Sequence, residues 1–187
     1  MTRFPISETS PVEHAGDLPE AADCVVIGGG VIGVMTAYFL ARAGQSAVLV
    51  EKGRIAGEQS SRNWGWIRQQ GRDPAELPIV IEAARHWRTL VQQLDTDIGL
   101  TQGGVLYLAG SPAEMARFER WLPHAETHGL DTQLLDRAGV AARLPGARGD
   151  WRGGLWTASD MRAEPWVAVP ALARLAAREG AVIREAC

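Results

Sequence analysis

The sequence predicts an α/β fold built on parallel strands, and three consecutive segments carry this prediction. The run Val25-Val26-Ile27 is short, apolar on both faces and ended by glycine, as in a buried parallel strand. Residues 31–43 are small and apolar, lack a polar face and stop at Gly44, which predicts a buried helix with a glycine C-cap. Residues 47–50 predict a second buried strand, ending in Glu51. Together they make a βαβ unit, whose crossover is nearly always right-handed.

Composition limits the classes of partner. With 46% hydrophobic and 22% charged residues, the chain of 187 residues has the make-up of a globular protein. A net charge of -3 without a run of Lys or Arg predicts no nucleic-acid or anionic-membrane surface, so we expect small-molecule partners. No stretch approaches the roughly 20 apolar residues of a transmembrane segment. Cys24 and Cys187 lack metal-ligand or disulfide spacing, which predicts no metal site and favours a cytoplasmic setting.

Beyond Glu51 the pattern changes. Residues 52–72 are rich in Gly, Ser, Gln and Arg without periodicity, and a loop of this length usually has a function. Asp73 and Pro74 begin a predicted helix that runs to about Leu94. Further helices are predicted at 111–128, 136–143 and 165–179, and further strands at 104–109, 132–135, 154–157 and 181–185.

The segment Gly28-Gly29-Gly30-Val31-Ile32-Gly33 matches G-x-G-x-x-G between the first strand and the helix. In this pattern Gly28 permits the tight turn, Gly30 lets a pyrophosphate approach the backbone, and Gly33 allows close helix packing. The helix N-terminus then faces the phosphates with its N–H groups. Glu51 is placed to accept hydrogen bonds from the adenosine ribose and disfavours the 2′-phosphate of NADP. The sequence therefore predicts a dinucleotide site, with NAD and FAD sharing the same phosphate geometry.

The segment after Glu51 favours FAD, because an NAD domain continues into another helix and strand whereas this chain enters a long polar loop. The glycine segment, Val48-Leu49-Val50-Glu51-Lys52 and Ser60-Ser61-Arg62-Asn63-Trp64-Gly65 together resemble the opening of the D-amino-acid oxidase-like flavoproteins. This family includes sarcosine and glycine oxidases and D-amino-acid dehydrogenases. The stretch from Gly153 through Asp160 to Pro165 resembles the family's return from the substrate domain to the cofactor domain.

The resemblance implies FAD as the cofactor and a set of residues that contact it. Val31, Ile32 and Lys52 belong to the FAD-binding opening, and Ser60 and Ser61 would hydrogen-bond the cofactor. The residues expected to line the flavin are Asn63, Trp64 and Gly65. The resemblance also implies oxidation of the carbon–nitrogen bond of an amine or amino acid by hydride transfer to the flavin. Because the cofactor performs the difficult step, no catalytic side chain is assigned.

Other readings stay open at this point. Arg68 and Arg72 are candidates for neutralising a substrate carboxylate, although an arginine in a polar loop is more often solvated. The four histidines are interpreted as structural. The alternative functions are FAD-dependent oxidation of a hydroxy acid or alcohol, of the 2-hydroxyglutarate or glycerol-phosphate type, and a non-catalytic flavin-binding subunit. An NAD-dependent dehydrogenase is disfavoured by the loop after Glu51.

The family's organisation assigns a role to each part of the chain. Prolines among Glu, Ser and Thr predict an extended leader over residues 1–22, and the resemblance implies that residues 23–95 form the first part of a Rossmann-like FAD-binding domain. Residues 96–158 are a partial, inserted α+β substrate domain, and residues 159–187 return to the FAD-binding domain. On this plan the chain is expected to be truncated. The apolar surfaces of the strands at 25–27, 48–50 and 182–183 are then expected to be partly exposed.

Overall fold

The computed structural model describes residues 5–187, which form two compact units. The first unit comprises the residues up to Gly65 with Leu90–Gly99 and Ala163–Cys187, and the second comprises Trp66–Thr89 and Leu100–Arg162. The strands are β1 Cys24–Ile27, β2 Ala47–Glu51, β3 Trp66–Ile67, β4 Val105–Ala109, β5 Thr132–Asp136, β6 Gly153–Thr157, β7 Met161–Arg162 and β8 Val182–Glu185. The α-helices are α1 Val31–Arg42, α2 Leu77–Leu90, α3 Pro112–Thr127, α4 Arg137–Arg143 and α5 Pro165–Arg178.

A parallel sheet with the strand order β1-β2-β8 organises the first unit. Val25 pairs with Val48, which pairs in turn with Val182. Helix α1 contacts β1 and β2, α5 contacts β8, and the two helices pack on each other. The prediction of a parallel βαβ unit is confirmed, and it places the N-terminus of α1 beside the carboxyl ends of β1 and β2.

Strand β1 is partly buried on the face of Cys24 and Val26 and exposed on the other. The side chains of Val25 and Ile27 are 63% and 86% exposed, while Leu49 and Ile183 are buried. The prediction that β1 is buried on both faces is therefore wrong, because no described segment covers the face that carries Val25 and Ile27. The expected partial exposure of apolar strand surfaces is greatest at these two residues; Val50 and Val182 are half-buried, and Val48, Leu49 and Ile183 are buried.

Helix α1 also has an exposed side. Val34 and Tyr38 are buried, whereas Ile32 is 80% exposed. The prediction of a buried helix is corrected on this point, since a helix that is apolar all round does not reveal which side packs. The predicted glycine at its end is confirmed: the helix ends at Arg42, and Gly44 has a φ of +79°. Glycine adopts this left-handed conformation without the cost that a side chain would add.

An antiparallel sheet with the strand order β4-β6-β5 forms the centre of the second unit. Its core includes Ala109, Phe118 and Leu155. Helix α3 begins with a capping box, in which Ser111 Oγ accepts from the Glu114 N–H and Glu114 Oε2 accepts from the Ser111 N–H. The predicted strands and helices of this region are confirmed within a residue or two at each end.

The long loop after Glu51 contains short elements that the sequence did not predict. A 3₁₀ turn forms at Gln59–Ser61, and β3 pairs antiparallel with β7. Two-residue strands are too short to show periodicity. The predicted helix from Asp73 is divided: a 3₁₀ turn at Pro74–Glu76 precedes α2, and another at Val91–Gln93 follows it.

The described part of the leader, residues 5–22, has neither a helix nor a strand. Among residues 5–187, no helix has the length and apolar character needed to cross a membrane.

Candidate functional site

The glycine turn between β1 and α1 depends on a positive φ at Gly28 and on close packing at Gly30 and Gly33. Gly28 has a φ of +107°, and its N–H donates to the Val50 carbonyl over 2.8 Å. Gly30 is the N-cap of α1, and a Cβ there would lie 3.1 Å from Ser60 Oγ. A Cβ at Gly33 would overlap the Gly28 carbonyl oxygen. The three glycines therefore let the start of α1 lie close to the end of β1.

Glu51, at the end of β2, is fixed on the same turn by both carboxylate oxygens. Oε2 accepts from the Gly29 N–H over 2.7 Å, and Oε1 accepts from the Gly53 N–H over 2.7 Å. Each oxygen keeps a further lone pair, so the carboxylate can still accept hydrogen bonds from hydroxyl groups. The result is an oriented anion beside the N-terminus of α1.

Ser60 reaches the same helix end from the loop. Its Oγ accepts from the Val31 N–H over 2.9 Å, which satisfies one of the first N–H groups that a helix leaves unpaired. Its hydroxyl proton is then directed away from this N–H and can be donated to another acceptor. The structure thus brings Gly28, Gly30, Val31, Glu51 and Ser60 together, as the glycine pattern and the resemblance required.

The residues after Ser60 build a rigid loop. Ser61 is buried, and its Oγ donates to the Glu58 carbonyl over 3.3 Å. Asn63 Oδ1 accepts from the Gly65 N–H over 2.8 Å. Gly65 has a φ of +69°, and a Cβ there would overlap the Ala163 carbonyl oxygen. Close packing at Gly65 and the side-chain bonds of Ser61 and Asn63 therefore fix the backbone of this loop.

Two apolar side chains of the predicted cofactor set are exposed. Trp64 is 78% exposed on the fixed loop, and Ile32 is 80% exposed at the start of α1. A large aromatic side chain that a rigid loop presents at the surface offers a flat apolar face to a planar ligand.

Lys52 differs from the other predicted cofactor residues because its side chain forms a surface ion pair. Its Nζ lies 2.8 Å from Glu58 Oε1, and the two side chains are 76% and 65% exposed. The pairing raises the pKa of Lys52 and lowers the pKa of Glu58. The ion pair directs the Lys52 ammonium to Glu58, and the predicted place of Lys52 in the FAD-binding opening stays a prediction.

The two candidate arginines lie in the second unit. The Arg68 guanidinium lies over the rings of Trp66 and Tyr107, 5.6 and 5.8 Å from their centroids, and donates to the Gln70 carbonyl. Arg72 Nη1 lies 3.6 Å from Glu76 Oε2. Both guanidinium groups thus have partners within their own unit.

Sequence reasoning missed the contact between the glycine turn and the residues after Gly53. The Ala56 N–H donates to the Gly29 carbonyl over 2.9 Å, and Ala56 has a φ of +60°. A Cβ at Gly29 would lie 2.6 Å from Ile55 Cδ1. The middle glycine of the pattern is therefore a packing position as well. Nothing in the spacing of Ile55 and Ala56 signals this contact.

Asp160 is a second residue that the sequence did not single out for chemistry. It is fully buried in the second unit, and its carboxylate accepts from the Gln69 N–H over 2.7 Å and from the Gln70 N–H over 3.2 Å. Burial raises the pKa of this carboxyl, although these hydrogen bonds oppose the shift. Asp160 fixes the backbone that follows β3.

Residues 23–187 match the family model described as FAD dependent oxidoreductase. The chain belongs to this family. Mitochondrial sarcosine dehydrogenase from Homo sapiens is 30% identical over 91% of the chain, and the match spans 19% of that protein. L-amino acid deaminase from Proteus myxofaciens, solved with anthranilate, superposes with a TM-score of 0.89 at 29% identity and covers 97% of this chain. Glycine oxidase from Bacillus cereus superposes with a TM-score of 0.78 at 27% identity. The chain spans 42% and 46% of these two structures.

FAD is the cofactor of this family, and the glycine turn of the chain fits a dinucleotide. Apart from Gly28 itself and its two neighbours in the chain, no described heavy atom lies within 4 Å of the position that a Cβ on Gly28 would take, so the backbone is open to a ligand there. At Gly30, by contrast, even a methyl group would press on Ser60 Oγ. The side chains around this opening suit a dinucleotide: the Ser60 hydroxyl can donate to a phosphate oxygen, and the Glu51 carboxylate can accept from ribose hydroxyls.

Proposed function

We propose that the glycine turn binds the pyrophosphate of FAD, with Glu51 on the adenosine ribose, and that the protein oxidises the carbon–nitrogen bond of an amine or amino acid. The observation that carries this proposal is the pair of side-chain contacts on the turn, from Glu51 to the Gly29 N–H and from Ser60 to the Val31 N–H. They place an acceptor and a donor on either side of the N-terminus of α1.

The charges around the turn suggest which group binds which part of FAD. The N-terminus of α1 carries a partial positive charge, which stabilises the doubly anionic pyrophosphate. Ser60 can donate to a phosphate oxygen while its Oγ still accepts from Val31. Glu51 accepts from the ribose hydroxyls, and its negative charge would repel a ribose phosphate. The turn therefore selects a dinucleotide with an unmodified adenosine ribose.

The loop from Ser61 to Gly65 is proposed to lie along the flavin. The contacts of Asn63 and Gly65 already fix the backbone of this loop. Binding of a planar group therefore costs little free energy for ordering the loop. The exposed indole of Trp64 supplies the apolar surface. Ile32, exposed at the start of α1, and Lys52, the residue after Glu51, are proposed to lie beside the cofactor.

FAD, when bound, supplies the electron acceptor for oxidation of the substrate. The substrate class is supported by the relatives, whose names specify sarcosine, L-amino acids and glycine. The protein then has to bind the substrate and exclude water. The cytoplasmic setting inferred from isolated Cys24 and Cys187 stays a prediction.

The test is anaerobic mixing of the FAD-loaded protein, in its natural length, with two sets of substrates. One set contains sarcosine, glycine and larger amino acids, and the other contains matched hydroxy acids and glycerol phosphate. We expect bleaching of the oxidised flavin with at least one amine and none with the hydroxy compounds. Bleaching by a hydroxy compound alone would replace the proposed substrate class, and bleaching by neither set would contradict an oxidising function on these substrates.

A further inference from the structure

Glu185, at the carboxyl end of β8, is a buried carboxylate to which the proposed cofactor site assigns no role. It is 8% exposed, and its carboxylate accepts three backbone N–H groups. Oε2 accepts from Glu13 over 2.6 Å and from His14 over 3.0 Å, and Oε1 accepts from Ile55 over 2.7 Å. Its own N–H donates to the His14 carbonyl over 3.0 Å. One buried carboxylate thus joins the leader to the residues after β2.

Those residues after β2 are in direct contact with the glycine turn. Ile55 packs against Gly29, and the next N–H, that of Ala56, donates to the Gly29 carbonyl. The Cys187 N–H donates to the Glu51 carbonyl over 3.1 Å. Glu185 therefore binds Ile55 directly. Ile55 and Ala56 in turn contact Gly29, whose N–H donates to the Glu51 carboxylate.

The leader is attached to the first unit by more than Glu185. Residues 8–17, called the leader strap below, accept hydrogen bonds from two arginines: Arg54 Nε donates to the Ser10 carbonyl over 2.7 Å, and Arg184 Nε donates to the Asp17 carbonyl over 2.8 Å. The Glu13 carboxylate pairs with Arg174 over 3.3 Å. The family match begins at residue 23, so the leader strap lies outside the matched region.

We propose that Glu185 is a positioning residue for the cofactor site, which couples the leader strap to the glycine turn through Ile55 and Ala56. This inference rests on the proposed binding of FAD at the turn. Because a buried carboxylate is costly to leave without hydrogen bonds, loss of the bonds on one side of Glu185 weakens its hold on the segment bonded to the other side. Docking of the strap therefore pre-organises the Gly29 N–H and with it the Glu51 carboxylate.

The experiment compares four proteins: wild type, Glu185→Ala, a variant lacking residues 1–17, and the combination. Calorimetric titration with FAD and with ADP measures the two dissociation constants, and circular dichroism measures thermal unfolding. Glu179→Ala, which removes a carboxylate at the end of α5, is the control. Amide exchange of Ala56 in the apoprotein reports on the turn itself.

We expect Glu185→Ala and the deletion each to weaken FAD and ADP binding by about tenfold, the size of one lost hydrogen bond to a charged group. The deletion should have little further effect when residue 185 is already alanine, because coupled groups are not additive. Ala56 exchange should rise in both variants, and Glu179→Ala should match wild type.

Unchanged affinity in a folded Glu185→Ala protein, or fully additive effects of the two changes, would overturn the coupling. If Glu185→Ala fails to fold, the deletion variant decides, because it removes the two N–H donors of the leader strap and keeps the Glu185 carboxylate: unchanged affinity there also overturns the proposal. A lower unfolding temperature with unchanged affinity assigns Glu185 a purely structural role and overturns it likewise. Failure of the wild type to bind FAD or ADP is a different result, since it removes the proposed cofactor site itself.

Discussion

Glu51 shows what a single residue contributes to this site and how far the sequence predicts it. Its position at the end of a buried strand predicts that it is a ribose ligand. Its two bonds to the Gly29 and Gly53 N–H groups could not be predicted, because they depend on the course of the residues that follow. The same holds for Ser60, whose bond to Val31 crosses 29 positions of sequence.

We predict that Glu51→Ala weakens FAD binding by about 1–3 kcal/mol, because a charge-assisted acceptor is lost from a partly buried site. Titration of apoprotein with FAD measures this change. Glu51→Gln keeps one acceptor oxygen and should lose less. An unaltered dissociation constant in folded Glu51→Ala would remove Glu51 from the site.

Asp160 leads to a prediction about pH. Burial raises its pKa above the usual 3.8, so the folded protein binds this proton more readily than the unfolded chain does. Its contribution to stability is therefore greatest below the ordinary pKa and is lost as the pH rises through the raised value. We expect the free energy of unfolding of wild type, relative to Asp160→Asn, to fall as the pH rises above about 4.

Urea unfolding over a pH series, followed by circular dichroism, checks this slope. Glu20→Gln replaces an exposed carboxylate and should run parallel to wild type. If wild type instead becomes more stable relative to Asp160→Asn as the pH rises, the hydrogen bonds from Gln69 and Gln70 outweigh burial.

At the scale of elements, the first strand, helix and second strand were predictable because apolar runs are separated by glycine at each change of direction. Their exposure was not. Val25, Ile27 and Ile32 are apolar and exposed, and a single sequence does not say which face of an apolar element is covered. The pair β3 and β7 was also beyond prediction, because strand pairing of two residues leaves no pattern.

Gly33 determines how closely α1 packs on the end of β1. Gly33→Ala should lower the free energy of unfolding by about 1–3 kcal/mol, because its Cβ would overlap the Gly28 carbonyl and the helix would have to shift. Chemical denaturation measures this. Gly103→Ala is the matched control, since no described heavy atom outside Gly103 and its two chain neighbours lies within 4 Å of its Cβ position, and it should change stability by less than about 0.5 kcal/mol. Helix propensity alone would make Gly33→Ala more stable than wild type. A more stable variant would therefore show that the Cβ causes no clash and would contradict the packing argument.

At the scale of the whole molecule, two compact units of different sheet type occur in one chain that belongs to the FAD dependent oxidoreductase family. The parallel unit was predictable from the glycine pattern and its flanking strands. The leader strap was expected only to be extended, whereas the structure shows it bonded to Glu185, Arg54 and Arg184. Contacts between segments so distant in sequence leave no local pattern.

The central claim is that the glycine turn of the first unit is the FAD site, and titration of the apoprotein with FAD tests it most directly. Wild type should bind FAD, and Gly30→Val should lose binding while its circular dichroism stays native, because the branched side chain occupies the pyrophosphate position and presses on Ser60 Oγ, 3.1 Å from the Cβ. Gly103→Val should bind as wild type does. Equal FAD affinity of a folded Gly30→Val protein and wild type would contradict the assignment.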